Sequence, residues 1–237
     1  LGEIMLKDSE IAQLAHQIYV GPVGFTKYFA EEGFGICCAV LLNPDENIVV
    51  FRGTVPTELQ NWIQDLLAYP APYKHQTFGP IHLGAFCGLP NVMEEIVPLL
   101  NLAVKTTFCG HSLGSQRAAL AGAIMLDEYQ PDPSLIRVVG MAGPAPGFDQ
   151  FLQFMSKVEW RNYRNAAGVY GDPVPLLAFN LPPAFAYKNI GLTHVTAQPG
   201  GFLDLKDALL VDWHNSSLYV KGVAALEAAT PVHGKVG

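Results

Sequence analysis

Val104-Lys105-Thr106-Thr107-Phe108-Cys109-Gly110-His111-Ser112-Leu113-Gly114 runs from a short apolar stretch into a serine bracketed by glycines, and an alanine-rich segment follows as far as Tyr129. The pattern predicts a strand over Val104 to Cys109, a helix over Ser112 to Tyr129, and a tight turn between them. Glycines at both flanks allow strand and helix to approach where no side chain would fit. The turn would expose the Ser112 hydroxyl, and the helix N-terminus would add positive potential beside it. A serine capping a helix after a glycine turn would also match this stretch.

The same alternation extends outward. Asp8 or Ser9 is positioned to cap a helix with the apolar stripe Ile11, Leu14, Ala15 and Ile18. Ile36 to Leu42 and Ile48 to Phe51 read as a strand pair joined by the turn Asn43 to Asn47. Tyr69 to Pro80 is proline-rich and reads as a loop. Leu89 to Val104 is helix-like, with Pro98 expected to interrupt it. Ile136 to Ala142 and Glu159 to Arg164 read as strands around a helix over Phe148 to Met155. Phe179 to Gly201 carries little helical pattern. Strands alternating with helices imply an α/β architecture, with a mostly parallel sheet covered on both faces. Neither a repeat nor a low-complexity linker divides residues 1–237, which read as a single domain.

Half of the 237 residues are apolar and 15% are charged, enough to bury a sizeable core. The net charge of −7 and the scattered basic residues argue against nucleic-acid binding. The longest apolar runs fall well short of the roughly 20 residues a membrane-spanning helix needs. Leu1 to Glu10 lacks a basic-then-apolar signal pattern, and without an initiator Met an upstream segment is expected to have been removed or trimmed. The expectation is a soluble protein, leaning to secretion, with its oligomeric state open. Cys37, Cys38, Cys87 and Cys109 lack metal-site spacing and are expected as buried free thiols, one bridge remaining possible. No metal motif is present.

Three further blocks stand in series with the glycine-bracketed serine. They are Val49-Val50-Phe51-Arg52-Gly53-Thr54, Asn61-Trp62-Ile63-Gln64-Asp65-Leu66 and Ile81-His82-Leu83-Gly84-Ala85-Phe86. Together they resemble the class 3 lipases, the fungal-lipase-like branch of the α/β-hydrolases, from about Val49 to about Val223. The first 30 residues match less clearly, and the chain is somewhat shorter than the fungal enzymes, which implies trimmed loops. The resemblance implies an α/β-hydrolase fold with its active site at the C-terminal edge of the sheet, a short lid, and a serine hydrolase of carboxylic esters, usually acylglycerols.

A serine hydroxyl needs an imidazole to take its proton and a carboxylate to orient that imidazole. In such hydrolases the order along the chain is serine, acid, histidine. Asp172 follows a predicted strand in Gly171-Asp172-Pro173-Val174-Pro175 and resembles the family's Asp-x-Val-Pro segment, although Asp-Pro is also a common turn. Asp127 and Asp132 lie at the wrong end of the nucleophile helix. His214 stands at a loop-to-helix start, and Tyr219 follows five residues later, as in the family. His194 reads as a packing residue on a strand, His233 as part of a terminal tail, and Asp212 as a loop or helix-start residue. His111 reads as a buried hydrogen-bonding histidine and His82 as supporting structure. The candidate catalytic residues are therefore Ser112, Asp172 and His214.

The tetrahedral intermediate needs preset donors. The N–H of Leu113, after the nucleophile, is one; Thr54 is the other by resemblance, with strand-end capping as its plainer role. Arg52 and Asp65 read as an ion pair bracing this loop. Leu59, Trp62, Ile63, Leu66 and Leu67 form one helical face. It is expected to pack at Leu66 and Leu67, and the resemblance implies a lid over Val55 to Ile63. Val174, Leu176, Phe179, Leu181 and Phe185 would line an acyl groove or simply pack; Trp62, Ile63, Val174 and Leu176 are the candidate substrate and lid residues.

The chemistry requires no cofactor. Acidic charge disfavours anionic membranes, so neutral acylglycerols or small esters, met at a lipid–water interface, fit better than acidic phospholipids. Triacylglycerol hydrolysis is the leading expectation. Short-chain or aryl esterase, phospholipase A1, acyl transfer to alcohols and a catalytically silent binding fold are the alternatives.

Overall fold

The computed structural model describes residues 5–21, 23–31, 35–54, 70–72, 77–166, 171, 172, 174, 175, 190–197 and 214–230. Its centre is a seven-stranded sheet in the order β1-β2-β3-β6-β7-β8-β9. β1 (Lys27–Glu31), β2 (Ile36–Leu42) and β3 (Glu46–Phe51) are antiparallel neighbours. From β3 onward, β6 (Lys105–His111), β7 (Ile136–Met141), β8 (Glu159–Asn165) and β9 (Leu192–Val195) are parallel. The sheet is thus mostly parallel and flanked by helices, as the alternation predicts.

Side chains on a strand point alternately to its two faces. Val49, Phe51, Phe108 and Val138 enter one apolar cluster, and their neighbours Ile48, Val50, Cys109 and Val139 enter a second. α1 (Asp8–Val20) and α6 (Ser216–Ala229) supply Ile11, Ile18, Tyr219 and Val223 to the second cluster. α3 (Leu89–Ile96), α4 (Leu113–Ile124) and α5 (Asp149–Met155) cover the opposite face. Every residue of α4 is buried, which explains its near-absence of a polar side.

Several boundaries differ from the sequence expectation. β1 carries the mixed sequence Lys-Tyr-Phe-Ala-Glu; as an edge strand it needs only one neighbour and little apolar signal. The proline-rich stretch is not wholly a loop: β4 (Pro70–Pro72) pairs antiparallel with β5 (Pro80–His82), which leads into the short α2 (Leu83–Phe86). Such a two-stranded ribbon tolerates proline where no ladder hydrogen bond is required. α3 stops at Ile96 and tightens into a 3₁₀ turn over Val97–Leu99, so Pro98 does interrupt the helix. α4 ends at Ile124, and Met125–Tyr129 is a π-helical turn.

Asp8 does not cap α1; Lys7 occupies that position. The Asp8 carboxylate is buried and bonds to Arg137, Arg161 and Tyr163. Arg137 and Glu159 stand opposite each other at the starts of β7 and β8, so this ionic cluster closes the N-terminal edge of the sheet. Ser9 instead donates its hydroxyl to Glu227 on α6 at 2.5 Å, tying both ends of the described chain together. All four cysteines are free, and burial raises Cys38 to about 12. Among the described residues no helix is long and apolar enough to cross a membrane, and no cluster of His, Cys, Asp and Glu could hold a metal ion.

Candidate active site

Ser112 sits between β6 and α4 with φ 60° and ψ −129°, a strained backbone for a residue with a side chain. Close packing maintains it. A Cβ on Gly114 would lie 2.1 Å from the Phe51 carbonyl oxygen, and one on Gly110 would lie 2.4 Å from the Gly114 carbonyl carbon. The end of β3 therefore runs against the turn at backbone contact. The Ser112 N–H donates to Met141 O at 2.9 Å, fastening the turn to β7.

Gly171, at φ +52°, turns the chain beyond β8 so that the Asp172 N–H donates to Asn165 O at 2.7 Å. Asp172 is completely buried. Its Oδ1 accepts the Val174 N–H at 2.9 Å, and its Oδ2 accepts from His214 Nδ1 at 2.8 Å and from the Tyr219 hydroxyl at 2.5 Å. Arg164 Nε donates to the Asp172 carbonyl at 2.9 Å. Tyr219 stands on the first turns of α6 and accepts the Asn165 N–H at 3.0 Å. Burial, together with the Asp172 charge, holds the Tyr219 phenol well above its ordinary pKa, so it remains a donor to the carboxylate.

The acceptor side of His214 is thus turned away from Asp172. Among the described residues neither His214 Nε2 nor Ser112 Oγ has a hydrogen-bond partner, and both are buried. The His111 ring lies 4.6 Å from the His214 ring at a tilt of 40°, and its Nδ1 lies 3.3 Å from the Tyr19 hydroxyl. A buried imidazole with its face to a second one cannot readily take a charge. Burial, and secondarily His214, holds the His111 pKa well below the ordinary 6.5, against an opposing pull from the His214 backbone.

Unfolding releases His111 to bind a proton below about pH 6.5 while the folded protein keeps it neutral. The unfolded state then binds more protons, so folding stability is expected to fall as pH drops through 6.5. The slope from this group reaches at most about 1.4 kcal/mol per pH unit. Urea unfolding at pH 7, 6 and 5 tests this, with His111→Gln expected to flatten the slope by one proton. Among the described residues, the other groups facing His111 are His16 and Tyr19 from α1, and His214 and Tyr219 from α6 and its approach.

Thr54 lies three residues beyond the end of β3, and Leu113 is the first residue of α4. Both lie at the same C-terminal sheet edge as Ser112 and Asp172, where open α/β sheets bind ligands. Val174 is fully buried, and its N–H serves Asp172. His82 caps α2 by accepting the Ala85 N–H at 3.3 Å. His194 does not pack: on the edge strand β9 it is exposed while its neighbour Val195 is buried, because alternate residues face opposite sides. Trp62, Ile63, Asp65, Leu66, Leu67, Leu176, Phe179, Leu181, Phe185, Asp212 and His233 lie outside the described residues. Sequence reasoning overlooked Asn165, the Val174 N–H and the bond from Tyr219 to Asp172; the His214-to-Tyr219 spacing was the only local signal among them.

A mostly parallel sheet with a serine on a strained strand-to-helix turn, and an Asp–His pair on loops at the same edge, defines a protein with the α/β-hydrolase fold. The sequence profile of the Lipase (class 3) family matches residues 48–181, more than half of the chain. The chain belongs to that family of lipase-type ester hydrolases. Its fold is similar to the triacylglyceride lipase of Rhizomucor miehei, at a TM-score of 0.66 and 20% identity over 80% of this chain and 79% of that one. A lipase from Rhizopus microsporus var. chinensis matches at 0.61 and 18% identity over 83% and 78%. A triacylglycerol lipase from Penicillium expansum matches at 0.60 and 17% identity over 82% of each chain. No curated protein sequence matches.

Proposed function

We propose that the chain hydrolyses acylglycerols, triacylglycerol foremost, through an acyl-enzyme formed on Ser112. The observation that carries this reading is the buried Asp172–His214 pair, with His214 Nε2 and Ser112 Oγ both unpaired among the described residues. His214 Nε2 takes the Ser112 proton as Oγ attacks the ester carbonyl carbon. The resulting oxyanion is stabilised by the N–H groups of Leu113 and Thr54. Collapse of the intermediate breaks the bond to the alcohol, which leaves with the proton from His214. Water, deprotonated by the same nitrogen, then attacks the acyl carbon and releases the acid and free Ser112.

Asp172 holds His214 in the tautomer with its proton on Nδ1, and Val174, Tyr219 and Arg164 hold Asp172. Every step is acid–base or nucleophilic chemistry that these side chains supply, so no cofactor is invoked. The Lipase (class 3) profile favours a lipid ester over a small polar one. In this reading Trp62, Ile63 and Leu176 serve the acyl chain, Val174 serves the site through Asp172, and the substrate is met at a lipid–water interface. The bond from Ser9 to Glu227 and the single seven-stranded sheet support one domain over residues 1–237.

Initial rates on p-nitrophenyl esters from acetyl to palmitoyl, with and without a chelator, test the proposal alongside mass analysis after reaction with a fluorophosphonate. The expected result is one adduct on Ser112, turnover that favours long chains, and indifference to the chelator. Collapse of the rate beyond butyryl would replace lipase by short-chain esterase. Absence of the adduct would overturn the nucleophile.

A further inference from the structure

Tyr19 stands near the end of α1, remote in sequence from every residue of the proposed site. Its phenol oxygen accepts the Gly53 N–H at 2.9 Å. The same oxygen lies 3.3 Å from both Nδ1 and the carbonyl oxygen of His111. Gly53 immediately precedes Thr54, and His111 immediately precedes Ser112. One oxygen therefore joins the loop leading to a proposed oxyanion donor with the turn that carries the proposed nucleophile.

The join has no slack. A Cβ on Gly53 would lie 2.4 Å from the Tyr19 oxygen, 2.5 Å from the His111 carbonyl oxygen and 3.0 Å from Ser112 Cβ. A hydroxyl has one donor and two acceptor sites, so Tyr19 can accept from Gly53 while donating to the His111 carbonyl. Burial holds the phenol protonated across the physiological range, which keeps both roles available. Oxyanion stabilisation is steeply geometric: a donor must lie about 2.7–3.1 Å from the position the charged oxygen will take. Anchoring the Gly53 amide sets the path of the chain into Thr54.

We propose that Tyr19 is a positioning residue for the oxyanion loop, holding Gly53 and hence Thr54 in register with Ser112 through its phenol oxygen. This rests on the reading of Ser112 as nucleophile and Thr54 as oxyanion donor. Tyr19 acts on the transition state and not on substrate binding, because Thr54 engages the oxygen only as charge develops.

The test is Tyr19→Phe, which removes one oxygen and retains the ring. The end point of titration with a phosphonate counts folded sites, so kcat is obtained per competent enzyme even where folding is incomplete. Outright loss of an oxyanion donor costs about 10²–10³-fold, so misplacing one is expected to lower kcat by about 10–100-fold. KM should stay within about twofold. The inhibition constant of a trifluoromethyl ketone, whose adduct with the serine carries the tetrahedral oxyanion, should rise by the same factor as kcat/KM falls. A role confined to packing would lower stability or the titrated fraction and leave both ratios unchanged, and that result would overturn the proposal. Amide exchange in the unmodified protein gives a reading independent of the variant: the Gly53 N–H is expected to be protected, and rapid exchange would overturn the anchor. Ser112→Ala run in parallel separates the two levels. If it is inactive while Tyr19→Phe matches the unmodified protein, only the inference about Tyr19 fails; if it stays active, the underlying reading fails.

Discussion

Ser112→Ala is expected to lower ester turnover by about 10⁵–10⁶-fold while the protein remains folded. Removal of a triad nucleophile costs about this much because the remaining groups act as a unit and retain only oxyanion and binding effects. The fold should tolerate the change. Alanine inherits the same positive φ, so the strain at the turn is unaltered. The hydroxyl is buried and has no partner among the described residues, so its loss removes a desolvated polar group. Stability is expected to stay level or rise by about 1 kcal/mol. Turnover and urea unfolding measured on the same preparation check both parts. Substantial retained turnover would refute Ser112 as nucleophile, and loss of activity together with loss of cooperative unfolding would mean that the turn needs the serine for structure.

Asp172→Asn is expected to lower kcat by about 10⁴-fold, through the tautomer of His214 more than through any change of fold. The carboxylate accepts from three donors: Val174 N–H, Tyr219 O–H and His214 Nδ1–H. An amide offers one oxygen and one NH₂ group. With its oxygen towards Val174, the NH₂ faces His214 and drives the proton from Nδ1 to Nε2, leaving no base for Ser112. With its oxygen towards His214, the NH₂ meets the Val174 N–H, donor against donor. Either arrangement leaves a buried group unsatisfied, at about 1–3 kcal/mol. Turnover, a melting curve and the imidazole nitrogen shifts of His214 by NMR would check the argument. An unaffected rate would move the acid to another residue, with Asp149 or Asp204 next in line.

Part of the candidate site's backbone geometry is local in sequence, which is why the serine turn was legible there. Gly110 to Gly114 encode a turn that only small flanking residues permit, and its backbone strain is a property of a few consecutive residues. The strands of the sheet centre were also legible. Where both faces are buried they carry unbroken apolar runs, Ile48 to Phe51 in β3 and Val138 to Met141 in β7. Edge elements were not legible for the converse reason. β1 has one neighbour and a mixed sequence, β4 is a proline-flanked ribbon, and His194 faces outward from the last strand. Asp8 has the residue type of a helix cap, but the two arginines and the tyrosine that draw it inward lie 129 to 155 residues away.

By itself, the sequence determined the α/β alternation, the strained serine turn, and the candidate Ser112, Asp172 and His214. The alternation and the serine turn follow from residue type and spacing along a few turns of chain, whereas the candidates Asp172 and His214 rest also on the resemblance to the class 3 lipases. The tertiary structure alone decided how the groups are supported. Tyr219 and Val174 satisfy the Asp172 carboxylate, the His111 ring packs against His214, and one oxygen of Tyr19 spans from Gly53 to His111. Local spacing cannot encode such contacts, because they join residues on different elements whose separation is set by how α1 and α6 pack on one face of the sheet.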